Sequence, residues 1–409
     1  MSKNKERFKK IKELKELGPG IITGGAGDDP AGILTYTIVG ATTGFSQLWL
    51  MLLSTPMMIV VQDTAAKLAL VTGKSLPEIL SKYYSKKLTY FIVLSLAVAN
   101  ILTIGADLEA IATIFEIITG IKAIYLLIPI TLLIAYLVIF KAYKTVKKVL
   151  IALTSLLAVY IISAILAKPD LKQMILDTFI PQIKPDLAFI LAALGLLGTT
   201  ISPYLIFWQA SEEREEHATV SQAKIMETDT TVGMIYSNII AYAIIVSSAV
   251  MLFGHKEIQT IADAALALKP AAGEYAFLLF SVGIIVAGFL AIPVLAGSTA
   301  YAVADTFGWR EGMDNKISDA KGFYFVFLGS LFVGDVIDLS NISAVDALYY
   351  SQIFDGILLP VLSGLLFVLG NNKEILGEYT NKRFNNIFLM ITFAVSLIAT
   401  ISMFYSFIK

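Results

Sequence analysis

The chain has 409 residues, 57% of them hydrophobic and 15% charged, with a formal net charge of −1 and a mean hydropathy of +0.76. That apolar content exceeds the range of ordinary soluble domains, and it falls in long runs, so the sequence reads as a polytopic membrane protein with lipid around it. The near-zero charge argues against a nucleic-acid partner, and the lack of any cysteine excludes disulfides, thiolate metal sites and cysteine nucleophiles.

Residues 1–16 are basic and lack an apolar core followed by a cleavage site, so they read as a retained cytoplasmic leader. A helix needs roughly 20 apolar residues to cross the hydrocarbon. On that rule residues 17–409 form one transmembrane domain of about eleven helices, beginning near Leu17, Gln47, Leu88, Ile121, Val146, Leu187, Thr231, Ala276, Phe323, Ala347 and Ile387. With the amino terminus inside, 23 of the 31 Lys and Arg residues lie in inner segments, 7 lie outside, and Lys67 lies within a span. This bias places the amino terminus in the cytoplasm of a cell-membrane protein and, with an odd number of spans, the carboxyl terminus outside.

The first span carries GAGDDPAG, in which Asp28, Asp29 and Pro30 interrupt an apolar run. The sixth carries LGTTISPYLIFWQA, with Thr199, Thr200, Ser202 and Pro203 at its centre. Five spans separate the two breaks, and an odd offset inverts one half relative to the other. The expected fold is therefore all-α, with an inverted five-plus-five repeat: residues 17–167, then 187–371, then an extra helix at 385–408. Unwound backbone at membrane depth must line protein or water, so two facing breaks predict an ion or solute site.

An ionised carboxylate at such a break needs a cation, a basic partner or a proton. No histidine lies in a span, and Lys67 sits four residues after Asp63, which reads as a structural pair on one helix face. Asp29 is left to a transported cation. Gly32, Thr199 and Ser202 offer only carbonyl or hydroxyl oxygen, a donor set for hard ions. Their short side chains leave room for water, which favours a partly hydrated Mg²⁺, with Mn²⁺ and Ca²⁺ behind it. Asp28 either joins Asp29, acts through bound water, or caps the unwound segment. A sodium-coupled carrier of a small organic solute uses the same kind of site and is the alternative. No enzyme motif is present, and the metal is cargo, with no cofactor called for.

The runs GPGIITGGAGDDPAG and GTTISPY resemble the NRAMP divalent metal transporters. That resemblance implies the leucine-transporter type of repeat and a metal site between the first and sixth helices. The family's Asp-Pro-Gly-Asn becomes Asp29, Pro30, Ala31 and Gly32, and its sixth-span methionine becomes Ser202. Its tenth-span glutamine corresponds to Gln352 in YYSQIFDG. The histidines of the family's proton route fall at Tyr204 and Gln209; Asp107 is kept, its glutamate partner is Ala110, and Glu109 faces elsewhere. Loss of the thioether and of the relay resembles the NRAMP-related magnesium transporters, which implies uptake without obligatory proton coupling.

Other polar features carry two readings. Asp107 and Asn100 either line a water path or join helices. Asp335, Asp338 and Asp346 read as a solvated face, as does the acidic run SEEREE from Ser211 to Glu216. Ala296, Gly297, Ser298 and Ala300 read as close helix packing.

Overall fold

The computed structural model describes residues 24–140, 155–184, 186–215, 223–254, 258–313, 315–337 and 343–408. Among them there is no strand. The basic leader, the start of the first span, the start of the fifth, Asp338 and both histidines lie outside the described residues.

Pro30 opens the first helix, α1 (Pro30–Thr43), at the position where its missing N–H is no loss, and Asp29 caps it by accepting the Gly32 amide. Next come α2 (Leu48–Thr72), the short α3 (Leu76–Tyr83) with its Ser75–Glu78 capping box, and α4 (Lys86–Thr119). Both α2 and α4 stop at a glycine in the left-handed region, Gly73 and Gly120, where a side chain would be strained. The first half finishes with α5 (Ala123–Phe140), α6 (Val159–Leu166) and a surface helix α7 (Leu171–Phe179).

The second half begins with α8 (Leu187–Thr200) and α9 (Pro203–Glu215), two parts of one span on either side of Ile201 and Ser202. There follow α10 (Ala223–Leu252), the short α11 (Ile261–Ala265) and α12 (Lys269–Ala272), and α13 (Ala276–Phe307). Last are α14 (Lys321–Ile337), α15 (Ala344–Gly370), the short α16 (Lys373–Leu376) and α17 (Arg383–Ile408). Seven of the described helical stretches are long and apolar enough to cross a membrane by length and composition.

The packing repeats in the inverted sense. α1 lies against α10, and the equivalent contact in the other half, α9 against α2, is also made. α4 and α13, at matching places in the two halves, pack on each other. α17 stands outside this pattern, resting on α15, α8 and α2 with Phe404, Tyr405 and Ile408 exposed, as lipid-facing side chains are.

Where the expected onsets fall on described residues, the helices start within a few residues of them, except that α10 starts at Ala223 where hydropathy put Thr231. Its first turns, AKIMETDT, are too polar to register as membrane yet remain helical. The small residues of α13 do pack closely. A Cβ on Gly297 would sit 2.6 Å from both Met313 and Trp208, and the Ser298 hydroxyl donates to the Tyr204 carbonyl at 2.9 Å.

Candidate functional site

The two breaks meet. A Cβ placed on Gly32 would lie 2.6 Å from Thr199 Oγ1 and 2.9 Å from Asp29 Oδ1, so only glycine lets α1 approach α8 this closely. Asp29, with extended backbone (φ −66°, ψ 169°), turns its carboxylate back over the start of α1. Its Oδ1 accepts the Gly32 amide at 2.5 Å, and its Oδ2 accepts the Tyr204 hydroxyl at 3.3 Å. The N-terminal end of a helix favours negative charge, which gives this carboxylate a second reason to sit there.

Each residue named from the sequence has a definite place here. Gly32 brings its N–H to Asp29; as the third residue of α1 its carbonyl enters the helical ladder. Ser202 donates its hydroxyl to the Thr199 carbonyl at 2.7 Å, leaving its oxygen lone pairs to accept or to ligate. Gln352 on α15 is fully buried, and its Oε1 makes no hydrogen bond. Asp28 accepts the Ser237 hydroxyl of α10 at 2.9 Å, with Oδ2 unpartnered among the described residues.

Asp107 of α4 accepts the Ala31 amide at 3.1 Å, so it satisfies one of the open donors of α1, and its Oδ2 is unpartnered. Asn100 reaches Thr299 Oγ1 at 2.9 Å and the Leu295 carbonyl at 3.3 Å, which joins α4 to α13. Of the two readings offered for this pair, Asn100 takes the packing one. Lys67 pairs with Asp63 at 3.4 Å and with Asn381 at 3.2 Å, while Asn385 donates to Asp63 at 2.8 Å, so this intramembrane pair fastens α2 to α17 and its approaches.

Two surface readings are corrected. Asp335 is buried at 5% exposure and accepts the Thr131 hydroxyl at 2.9 Å, because α14 lies against α5 where hydropathy suggested an open loop end. Asp346 does stay exposed, beside its cap Ser343. In the acidic run, Ser211, Glu212 and Glu213 are buried, and the described part of the run belongs to α9. The next residue, Arg214, binds Asp305 at 2.9 Å, Glu78 at 3.1 Å and also Glu311, joining α9 to α13, to α3 and to the segment before α14. Glu213 accepts from Gln209 at 2.7 Å.

Sequence reasoning passed over Asp355, one turn beyond Gln352 on α15. It is 1% exposed, and neither of its carboxylate oxygens makes a hydrogen bond among the described residues. The available signal was a carboxylate in the middle of an apolar span. The Tyr204 hydroxyl lies within the field of Asp29, Asp107 and Asp355 together. Among the described residues no lysine or arginine pairs with any of these three, and no three His, Asp or Glu side chains converge closely enough to enclose a bare metal ion. Asp29 lies where the two breaks meet, and Asp29, Asp107 and Asp355 are all buried from solvent.

The sequence pattern of the natural resistance-associated macrophage protein-like family matches residues 20–406. The chain belongs to that family. Members of the NRAMP family are transporters, not enzymes, in keeping with the absence of an enzyme motif. A curated relative, the divalent metal cation transporter MntH of Caldanaerobacter subterraneus, is 26% identical over 392 residues, covering 90% of this chain and 88% of the relative. The crystal structure of the Eremococcus coleocola manganese transporter bound to an aromatic bis-isothiourea compound superposes with a TM-score of 0.77 at 16% identity, covering 96% of this NRAMP-family chain and 87% of that one. MhsT in complex with L-phenylalanine matches at a TM-score of 0.67 and 14% identity, covering 95% and 98%. These two structures share the fold, the inverted repeat of the leucine-transporter type with broken first and sixth helices.

Proposed function

We propose that this protein carries a hard divalent cation, Mg²⁺ ahead of Mn²⁺, across the cell membrane by alternating access and without obligatory proton coupling. The observation that carries the reading is Asp29: a carboxylate at 1% exposure, facing the second break, with no basic side chain paired to it among the described residues. A charge held that way costs several kcal/mol unless a cation shares it. Family membership and the MntH relative support a divalent metal as the cargo.

The choice of metal rests on the donors. Thr199, Ser202 and Gln352 present oxygen, and no thioether or imidazole stands at either break. Hard ligands suit Mg²⁺, and Mg²⁺ keeps several of its waters. An ion that brings its own water does not require three carboxylates to converge. Asp29, Gly32, Thr199, Ser202 and Gln352 make up the site, with Asp28 acting at a distance through its link to Ser237. The orientation with the amino terminus in the cytoplasm follows from the basic-residue bias of the sequence.

Uptake of Mg²⁺, Mn²⁺, Ca²⁺ and Na⁺ into vesicles containing the purified protein tests the reading. Saturable Mg²⁺ uptake, with Mn²⁺ competing, is expected. Absence of any divalent flux at millimolar metal, with sodium-driven movement of an organic solute, would overturn it in favour of the sodium-coupled alternative.

A further inference from the structure

We propose that Asp355 supplies the second carboxylate of the ion site, so that Asp29 and Asp355 together balance the two positive charges of the cargo. The inference rests on the divalent reading above and names a residue that reading does not use.

The three carboxylates around the Tyr204 hydroxyl differ in what holds them. Asp29 has two donors, Asp107 has one, and Asp355 has none. A buried polar group is normally hydrogen-bonded, and a buried charge is normally paired. Asp355 at 1% exposure meets neither expectation from within the described protein. It fixes no helix end and joins no neighbour, so packing gives no reason for a carboxylate there.

Its position is set rigidly. Gln352 and Asp355 are three residues apart on α15 and so share a face. That turn is clamped on α8: a Cβ on Gly198 would land on the Gln352 carbonyl and lie 2.5 Å from the Gly356 amide, and one on Gly356 would land on the Leu194 carbonyl. Contact of backbone on backbone fixes this turn of α15, and with it Asp355, beside the end of α8 that leads into the second break. Asp355 also lies within the field of Asp29. Like charges buried near each other repel, and a divalent ion shared between them removes the repulsion and supplies the missing partner. Since no three acidic side chains enclose a bare ion, Asp355 meets the ion through its hydration shell, as Mg²⁺ commonly allows.

The experiment uses the full-length protein in vesicles with the membrane potential clamped, together with thermal unfolding of the detergent-solubilised protein titrated with MgCl₂ and MnCl₂. For Asp355→Asn, apparent affinity for both metals should weaken about tenfold or more, the scale of a lost charge-assisted contact. Its metal-free melting temperature should equal or exceed that of the wild type, because an unpartnered buried charge has been removed. Asp355→Glu, which keeps the carboxylate, should retain more affinity than Asp355→Asn. Asp355→Ser is run in parallel, and either neutral variant that folds decides the matter. Wild-type affinity in a folded neutral variant overturns the proposal while leaving the divalent reading in place. A wild-type protein that neither moves nor is stabilised by Mg²⁺ or Mn²⁺ removes the reading beneath it, and the proposal with it.

Discussion

The Tyr204 hydroxyl, carried by the second broken helix, lies 3.3 Å from Asp29 Oδ2 on the first and donates to the Ala26 carbonyl at 2.7 Å. One side chain thus satisfies an unwound carbonyl and steadies the carboxylate that faces the cargo. Removing either member separates their roles. Asp29→Ala should weaken metal binding by roughly ten- to a hundredfold, the equivalent of about 1.5 to 3 kcal/mol for a contact with a charged group. Tyr204→Phe should leave the charge but free its geometry, so affinity falls less, while the bare Ala26 carbonyl lowers thermal stability by about 1 to 3 kcal/mol. Isothermal titration with Mg²⁺ and calorimetric unfolding of both variants measure this. Equal affinity in wild type and Asp29→Ala would contradict the assignment.

Ser202 occupies the place where a soft donor would change the cargo. Its hydroxyl bonds to the Thr199 carbonyl at 2.7 Å and keeps the break narrow and polar. Ser202→Met introduces a thioether and fills room used by hydration water, so Mg²⁺ uptake should fall while Mn²⁺ and Cd²⁺ binding is kept or strengthened. Competition of each metal against Mg²⁺ uptake reads the change, and a parallel loss of all three metals would count against hydration as the basis of selectivity.

Proton movement is expected to be absent from the cycle. Ala110 and the Gln209 amide cannot carry a proton, and Tyr204 lacks the imidazole that titrates near neutral pH. A pH-sensitive dye inside vesicles should report no acidification during metal uptake at clamped potential. Stoichiometric proton entry that tracks the metal would show that the relay survives in other residues.

Arg214 holds Asp305, Glu78 and Glu311 together, and this cluster is expected to close one side of the transport pathway. Arg214→Ala leaves three carboxylates to repel one another. Because Arg214 and Glu78 keep 18% and 36% of their side-chain surface, the effect is smaller than for a fully buried pair, about 1 to 3 kcal/mol against this closed form. The chain has no native cysteine, so a single Ser202→Cys reporter labelled from the Arg214 side gives a clean reading. Labelling should rise about tenfold or more when Arg214→Ala is added, and an unchanged rate would show that the closure depends on other contacts.

Much of the architecture follows from the linear sequence for simple reasons. Apolar runs long enough for the hydrocarbon fix the helices, since no other open structure satisfies its backbone there. Asp29-Pro30 and Ser202-Pro203 mark the breaks because proline removes a donor and bars the preceding residue from helix. Their five-span separation carries the inverted repeat, and the oxygen-only character of the breaks is visible in residue types alone. What the sequence could not decide is which charges are shielded from water and by what. Ser211 to Glu213 look like a solvated acidic run and are buried, because they continue α9, which packs between α2 and α13. Asp335 looks like a loop charge and is held by Thr131 across a helix contact. Asp355, three residues from a glutamine already singled out, acquires meaning only when α8 and α15 are seen to touch at Gly198 and Gly356 and its buried carboxylate is seen to have no partner among the described residues. Helix formation in lipid is a local consequence of hydropathy, whereas the partner of a buried charge comes from long-range packing, and only the tertiary structure brings those residues together.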